Sequence, residues 1–492
     1  MAGSLFEEKK RTAHKTSSGG APRDGSRPQS DSKGEVMSLA EVGIEFARKL
    51  QRIHGFGFSQ AFQRAAILHG ARGLPPIRRQ EILDLLLSPD KGAGLSLLRL
   101  CVGSSDDAVY DRQKSIQPTD PGGPDAPPKY VWDGDDGGQV WLAKQAHAYG
   151  VRRFYASAWS APGYMKTNDS DADGGSLRGS PGTDPQGGDW REAYAEYLIQ
   201  YVRFYAGEGI QITDLGFINE PEIARPYATM QMDPRQAVDL AGIVGQAIER
   251  AGLPLNLVCC DSLGWNLQEA YTAAIEADPE VAARIAIHGA HQYGSERNEQ
   301  ERLARQPLPT VRPCWMTEWS PDVLGTTWSE EWDNGNRADG IHVAENIHDC
   351  LTMANVNAYI YWYGASVGGT RSLIKMDADR FRVSKRLWAV AAFSRFIRPE
   401  AERVAAHTAE GSLKVSAFQN ADSSRVIVLL NQGHETLHAE VKADCGLGGV
   451  SVASYLTDSK HSLASANATR QTNGRLSVEI PPRAVLTAVI SA

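Results

Sequence analysis

Cysteine is scarce, with six residues in 492, so the chain is not a small secreted domain stapled by a disulfide framework. Basic charge is not in excess either. Lys and Arg total 51 against 59 Asp and Glu, a net charge of −8. Nucleic acid is thereby excluded as a general partner, because phosphate binding is driven by clustered Lys and Arg. No run of about 18 apolar residues occurs, which excludes a membrane-spanning helix, and no membrane partner is expected. Residues 1–35 lack the apolar stretch of a secretory signal; polar and rich in Ser, Gly, Lys and Arg, they are expected to form a disordered tail. Nucleotide and zinc motifs are missing as well. GFGFSQ (55–60) lacks the third glycine of a dinucleotide loop, and there is no Walker loop, His-Glu-x-x-His or paired Cys-x-x-Cys. Neither a metal nor an organic cofactor is expected.

What is present is a large globular composition, 42% hydrophobic and 22% charged, enough to bury a sizeable core. From residue 53, short β-rich runs alternate with longer segments whose apolar residues recur at three- and four-residue spacing. The strand candidates are 53–59, 94–103, 151–160, 214–221, 255–261, 284–293, 313–320 and 357–364. Helix candidates lie near 75–87, 138–149, 190–207, 234–251, 266–277, 339–355 and 385–397. Eight such units predict an α/β fold, a (β/α)8 barrel over 53–399. A doubly wound open sheet rarely needs eight regularly spaced units. After residue 400, segments such as LKVSAFQN and RVIVLLNQG alternate apolar and polar residues without an intervening helix. Residues 400–492 are therefore expected to form a side-associated antiparallel β-sandwich, with 36–52 adding a strand to it. The Gly-, Pro- and Asp-rich insertions 104–137 and 165–188 each follow a strand and are expected as long loops at the barrel mouth.

Two glutamates stand out by position. Glu220 follows Asn219 at the end of the fourth strand, and Glu318 closes the seventh. A barrel brings these strand ends to opposite sides of one mouth. Glycoside hydrolysis needs two facing carboxyls, one protonated to help the leaving oxygen depart and one ionised. From the residues alone, structural ion pairs explain the two glutamates equally well. Glu222 is a rival acid, but Pro221 favours an extended Glu220 suited to a strand end, and Glu222 is assigned to the loop. Aromatic residues Trp159, Tyr293 and Trp362 beside loop onsets suit the C–H faces of sugars, whereas Trp315, inside its strand, reads as core. Tyr293 is expected to hydrogen-bond the nucleophile, Asn219 to hold a sugar hydroxyl, and Arg99 to pair with Glu318 inside the barrel. Arg64 reads more plainly as a helix-surface charge than as a carboxylate-binding group. Cys259 and Cys260 are expected to be buried in the fifth strand. The acidic run Asp133-Gly-Asp135-Asp136 does not match calcium-loop spacing and reads as a solvated turn. The sequons at Asn168 and Asn467 are short enough to arise by chance.

The ordered motifs GFGFSQAF (55–62), LSLLRLCVGSS (95–105), YVWDG (130–134), SAWSAPGYMKTN (157–168), INEPE (218–222), HQY (291–293), MTEWS (316–320) and SKRLWAVAAFSRFIRP (384–399) resemble glycoside hydrolase family 30, within it the fungal xylanase branch. The resemblance spans about nine-tenths of the chain. It implies a retaining double displacement with Glu220 as acid/base and Glu318 as nucleophile. The implied substrate is the β-1,4-linked xylose backbone of xylan. Arg64 stands at the place where an arginine in the first βα loop suits glucuronic-acid branches. Related activities on β-1,6-glucan, β-1,6-galactan or glucosylceramide share the catalytic pair, and a silent polysaccharide-binding barrel is the non-enzymatic alternative. The resemblance implies an extracellular location, although no signal is visible in residues 1–35. His54 stands in IHGFG where the family commonly has an acidic residue.

Overall fold

The computed structural model describes residues 39–491 other than 110–111, 185, 294–307, 322–327 and 447–450; the expected tail at 1–35 lies outside them. The chain opens with β1 (Leu39–Arg52). A closed parallel barrel follows, formed by β2 (Gly55–Ser59), β3 (Leu97–Val102), β4 (Arg153–Ala158), β5 (Asp214–Gly216), β6 (Asn256–Ser262), β7 (Ile285–His291), β8 (Cys314–Trp319) and β9 (Ala358–Trp362). Every strand falls within its expected segment except β6, which runs one residue past the expected 261 to Ser262. Leu97, Tyr155, Val258, Ile287, Trp315 and Ile360 fill the barrel interior, so the lumen is a packed core rather than a pore. Trp315 is core, as its position suggested. Its indole Nε1 donates to His54 Nδ1 at 3.0 Å. Burial and the neighbouring Arg153 lower His54 to about 4, so the ring stays a neutral acceptor. His54 precedes β2 at the N-terminal floor of the barrel, away from the mouth where sites form.

The helices lie where apolar spacing put them, at Pro76–Leu87, Gln139–Ala148, Arg191–Gly207, Pro234–Ala251, Trp265–Glu276, Gly340–Thr352 and Lys385–Ser394. Local chemistry explains their ends. Asp233 and Gln236 form a reciprocal capping box at the start of Pro234–Ala251, and Gly252 ends that helix at φ 63°. Helix Arg191–Gly207 buries Tyr194, Tyr197, Tyr201 and Tyr205 at three- and four-residue spacing. The last two clamp a loop: Tyr201 and Tyr205 each donate to Asp136 Oδ2 at 2.7 Å. Asp136 is therefore buried, not part of a solvated turn, and burial pushes its carboxyl up to about 7. Asp133 and Asp135 stay exposed, as expected.

Two further departures concern backbone. The fourth barrel strand stops at Gly216 rather than running to Pro221. Glu220 is not extended but left-handed, at φ 47°, because its N–H leaves the ladder to reach Asp261 O on β6 and its carbonyl closes a turn with Ile223. A small sheet of Ala365–Ser366, Ile374–Met376 and Phe381–Val383 was not anticipated; its strands are too short for a readable period.

The C-terminal region forms a β-sandwich from a ten-stranded sheet in which β1 is central. β1 pairs antiparallel with Glu402–Thr408 and parallel with Leu437–Ala443, so one pairing departs from the expected antiparallel pattern. Val42, Ile44, Val441, Val478, Leu429 and Ile490 build its own apolar core. Thr487 Oγ1 donates to Ala392 O at 2.8 Å, fastening the sheet to the last barrel helix. Cys259 and Cys260 are buried in β6 and bonded to each other.

Candidate active site

At the C-terminal mouth of the barrel lies a cleft of about 850 Å³, lined by both Glu220 and Glu318. The two are nearly a hundred positions apart in sequence and converge because β5 and β8 open onto one mouth. One carboxylate oxygen of each, together with a ring nitrogen of His291, lies within 4.8 Å of the others. Both side chains are largely buried yet border the cleft, at 5% and 6% exposure. Glu222 does not line it; its Oε2 accepts the Leu263 N–H at 3.2 Å, as expected of a loop residue.

Arg99 organises the floor. Its Nη1 donates to Glu318 Oε2 at 2.5 Å, while Nη2 reaches Asn219 Oδ1 at 2.5 Å and Asp261 Oδ2 at 2.8 Å. Burial works against the guanidinium charge, but Asp261 and Glu318 hold it on. The expected ion pair is therefore present and fully enclosed, which makes it a positional device more than a source of stability. Tyr293 OH donates to Glu318 Oε1 at 2.9 Å, the hydrogen bond anticipated for it. Burial pushes the Glu318 carboxyl up; His291 and Arg99 oppose this, and Glu220 adds to it.

Glu220 keeps different company. His291 Nδ1 stands 3.0 Å from its Oε1, and Tyr227 OH donates to its Oε2 at 3.4 Å. Burial works to lower the His291 imidazole, yet Glu318 and Glu220 more than offset it and leave it raised. His291, Tyr227 and Asp261 were not singled out from sequence. Only HQY (291–293) carried a signal, as a motif without an assigned role.

The aromatic residues line the walls. Trp159, Trp362 and Tyr293 all border the cleft, with Phe62 edge-on to Trp159 at 5.3 Å and to Trp362 at 6.1 Å. Arg99 stacks under Trp159 at 4.3 Å. Asn219 is fully buried, and its Nδ2 has no hydrogen-bond partner among the described residues. Arg64 is a buried part of the cleft wall rather than a helix-surface charge. Its Nη1 donates to Phe62 O at 2.7 Å, and its guanidinium lies 5.0 Å from the centroid of the Tyr363 ring. Glu220, His291 and Glu318 form the one grouping of potential metal ligands among the described residues. A cation there would compete with Arg99, which already holds Glu318 Oε2, so the donor set does not suit a metal.

Comparison with known proteins agrees with this architecture. Residues 53–299 match the glycosyl hydrolase family 30 TIM-barrel domain, and residues 400–488 match the glycosyl hydrolase family 30 beta sandwich domain. The catalytic domain of GH30 xylanase C from Talaromyces cellulolyticus is 34% identical, with a TM-score of 0.83 over 92% of this chain and 100% of that one. Glucuronoxylanase XynC of Bacillus subtilis is 24% identical over 72% of this chain and 77% of its own length. A putative glucosylceramidase 1 of Caenorhabditis elegans is likewise 24% identical, over 83% and 80%. Relatives of similar identity thus carry different substrate names, while both matched domains are those of one family. The chain belongs to glycosyl hydrolase family 30 and is a glycoside hydrolase.

Proposed function

We propose that the protein is an endo-acting xylanase that hydrolyses β-1,4-xylosidic bonds with retention, through a covalent glycosyl-enzyme at Glu318. The observation that carries this reading is the approach of the two carboxylates to within 4.8 Å across one cleft. A nearest-oxygen approach this short suits direct attack, in which the carboxyl groups stand about 5–5.5 Å apart, better than inversion, in which roughly 6.5–9.5 Å between them seats a water.

The surroundings sort the two roles. The negative charge belongs on Glu318, which accepts from the permanently charged Arg99 and from Tyr293. Glu220, with no guanidinium on it, is left for the acid/base role. In the first step Glu318 attacks the anomeric carbon as Glu220 gives its proton to the leaving oxygen. In the second, Glu220 takes a proton from water, which attacks the same carbon and releases Glu318.

Trp362, half-buried at the cleft wall, presents a ring to a pentose, whereas Trp159, 2% exposed, and the fully buried Asn219 support that wall from behind. Arg64 at the cleft wall favours xylan bearing glucuronic acid, whose carboxylate matches a guanidinium. The likeness to xylanase C and to the glucuronoxylanase supports this substrate class. A polymer of this size is degraded outside the cell, which makes the protein extracellular.

The test is a panel of glucuronoxylan, linear xylan, β-1,6-glucan and glucosylceramide, assayed with the wild type and Glu220→Gln. Xylan cleavage by the wild type, lost by orders of magnitude in the variant, is the expected result. Preferential turnover of β-1,6-glucan or glucosylceramide overturns the substrate; no turnover of any of them supports a silent binding barrel.

A further inference from the structure

The wall between β2 and the loop after β3 has two lined sides. Arg64, Val109 and Arg112 border the catalytic cleft. Their neighbours Gln63, Ala66, Ala108 and Lys114 border a second cavity of about 300 Å³. Two hollows therefore stand back to back on the same two segments. The volume of the second is at the lower end for a small-molecule site.

Its other boundary is Val131, Trp132, Asp133 and Asp135. Trp132 is fixed in place: its ring stacks on Phe204 with centroids 4.9 Å apart and planes 9° apart, and its Nε1 donates to Glu208 at 3.1 Å. A ring held this way loses no side-chain freedom when a ligand arrives. Val131 beside it is 46% exposed. The base of the cavity is Gly137, where a Cβ would stand 3.1 Å from Gln113 Nε2 and 3.2 Å from Gln63 Nε2. The bare glycine thus leaves room for Gln63, which lines the cavity and whose Nε2 donates to Arg112 O. Gln113 lies behind this lining, its Nε2 donating to Asp136 O at 2.9 Å and Oδ1 at 2.8 Å.

An apolar ring and a valine, ringed by carboxylates, the Gln63 carboxamide, a serine and an ammonium, is a composition that recognises a sugar. The C–H face of a pyranose packs on indole, and its hydroxyls meet donors and acceptors of both kinds. Carboxylates bordering the cavity disfavour a phosphorylated or uronic ligand. We propose that this cavity is a second polysaccharide-binding site, taking a neutral segment of the same chain that the cleft cleaves; that the chain is xylan rests on the function proposed above. Holding the polymer at a neighbouring point raises its effective concentration at the cleft.

The experiment measures retention on insoluble xylan in a Glu318→Gln background, and kcat/KM on xylotriose with Glu318 intact. Trp132→Ala removes the ring. Ala108→Trp, at an exposed rim position, fills the cavity without disturbing the aromatic cluster beneath. Both are expected to weaken retention by about tenfold, while xylotriose hydrolysis stays within about twofold. Unchanged retention in both variants, or xylotriose hydrolysis falling in parallel with retention, overturns the proposal. A wild type that cleaves another polymer defeats the substrate reading alone, and the same retention assay on that polymer then decides the cavity.

Discussion

Asp261 is joined to both candidate catalytic glutamates, to Glu220 directly and to Glu318 through Arg99. The N–H of Glu220 donates to the Asp261 carbonyl at 2.9 Å, and both residues adopt left-handed backbone, at φ 47° and 53°. The Asp261 carboxylate accepts from Arg99 at 2.8 Å, Tyr155 at 2.6 Å and Ser157 at 2.9 Å. One buried residue thus sets the backbone under one carboxyl and the cation under the other.

Asp261→Asn keeps the size and an acceptor but removes the charge opposite Arg99. A shift of about 1 Å in a reacting group costs on the order of 10² in rate. The variant is expected to lose about a hundredfold in kcat with KM little changed. Steady-state kinetics, with a thermal melt to confirm folding, check it.

Tyr293→Phe removes a donor to the charged form of Glu318. The Glu318 carboxyl must then rise further, so the acid limb of kcat/KM moves to higher pH. A limb that stays in place would show that this hydrogen bond does not hold the charge.

Asp136 gives a stability test independent of catalysis. Burial raises its carboxyl from 3.8 to about 7 in the folded protein. The native state therefore binds the extra proton, and this stabilising contribution is complete below about pH 4 and lost as pH rises through 7. Asp136→Asn should remove that part of the fall, measured as melting temperature between pH 4 and 8. An unchanged slope would contradict the assignment.

Arg64→Ala separates branch recognition from backbone cleavage. Activity on glucuronoxylan is expected to drop about tenfold or more, the range of a charge-assisted bidentate contact, with linear xylan nearly unaffected. Equal losses on both would remove the branch-reading role.

The architecture was legible because it is periodic. Strand runs recur eight times and helix spacings seven, and signals such as the Asp233 cap and Gly252 are local. The two glutamates were legible because a barrel makes strand ends meet whatever their separation. Asp261, His291 and Tyr227 were not. Their roles come from contacts with residues 7 to 162 positions away, and no local pattern distinguishes them from other buried or loop residues. Arg64 misleads for the same reason: it stands at a helix start, yet Ser366 and Phe62 pin it to the cleft wall. Glu220 defeats the expectation drawn from Pro221 because a tertiary hydrogen bond to β6 overrides the local preference.

The direct measurement is trapping with a 2-deoxy-2-fluoro xylobioside carrying a good leaving group, followed by mass spectrometry of the labelled peptide. The account predicts one covalent sugar per chain, on Glu318, formed more slowly in Arg99→Lys. A label on Glu220 or elsewhere, or no label with product of inverted configuration, would contradict it.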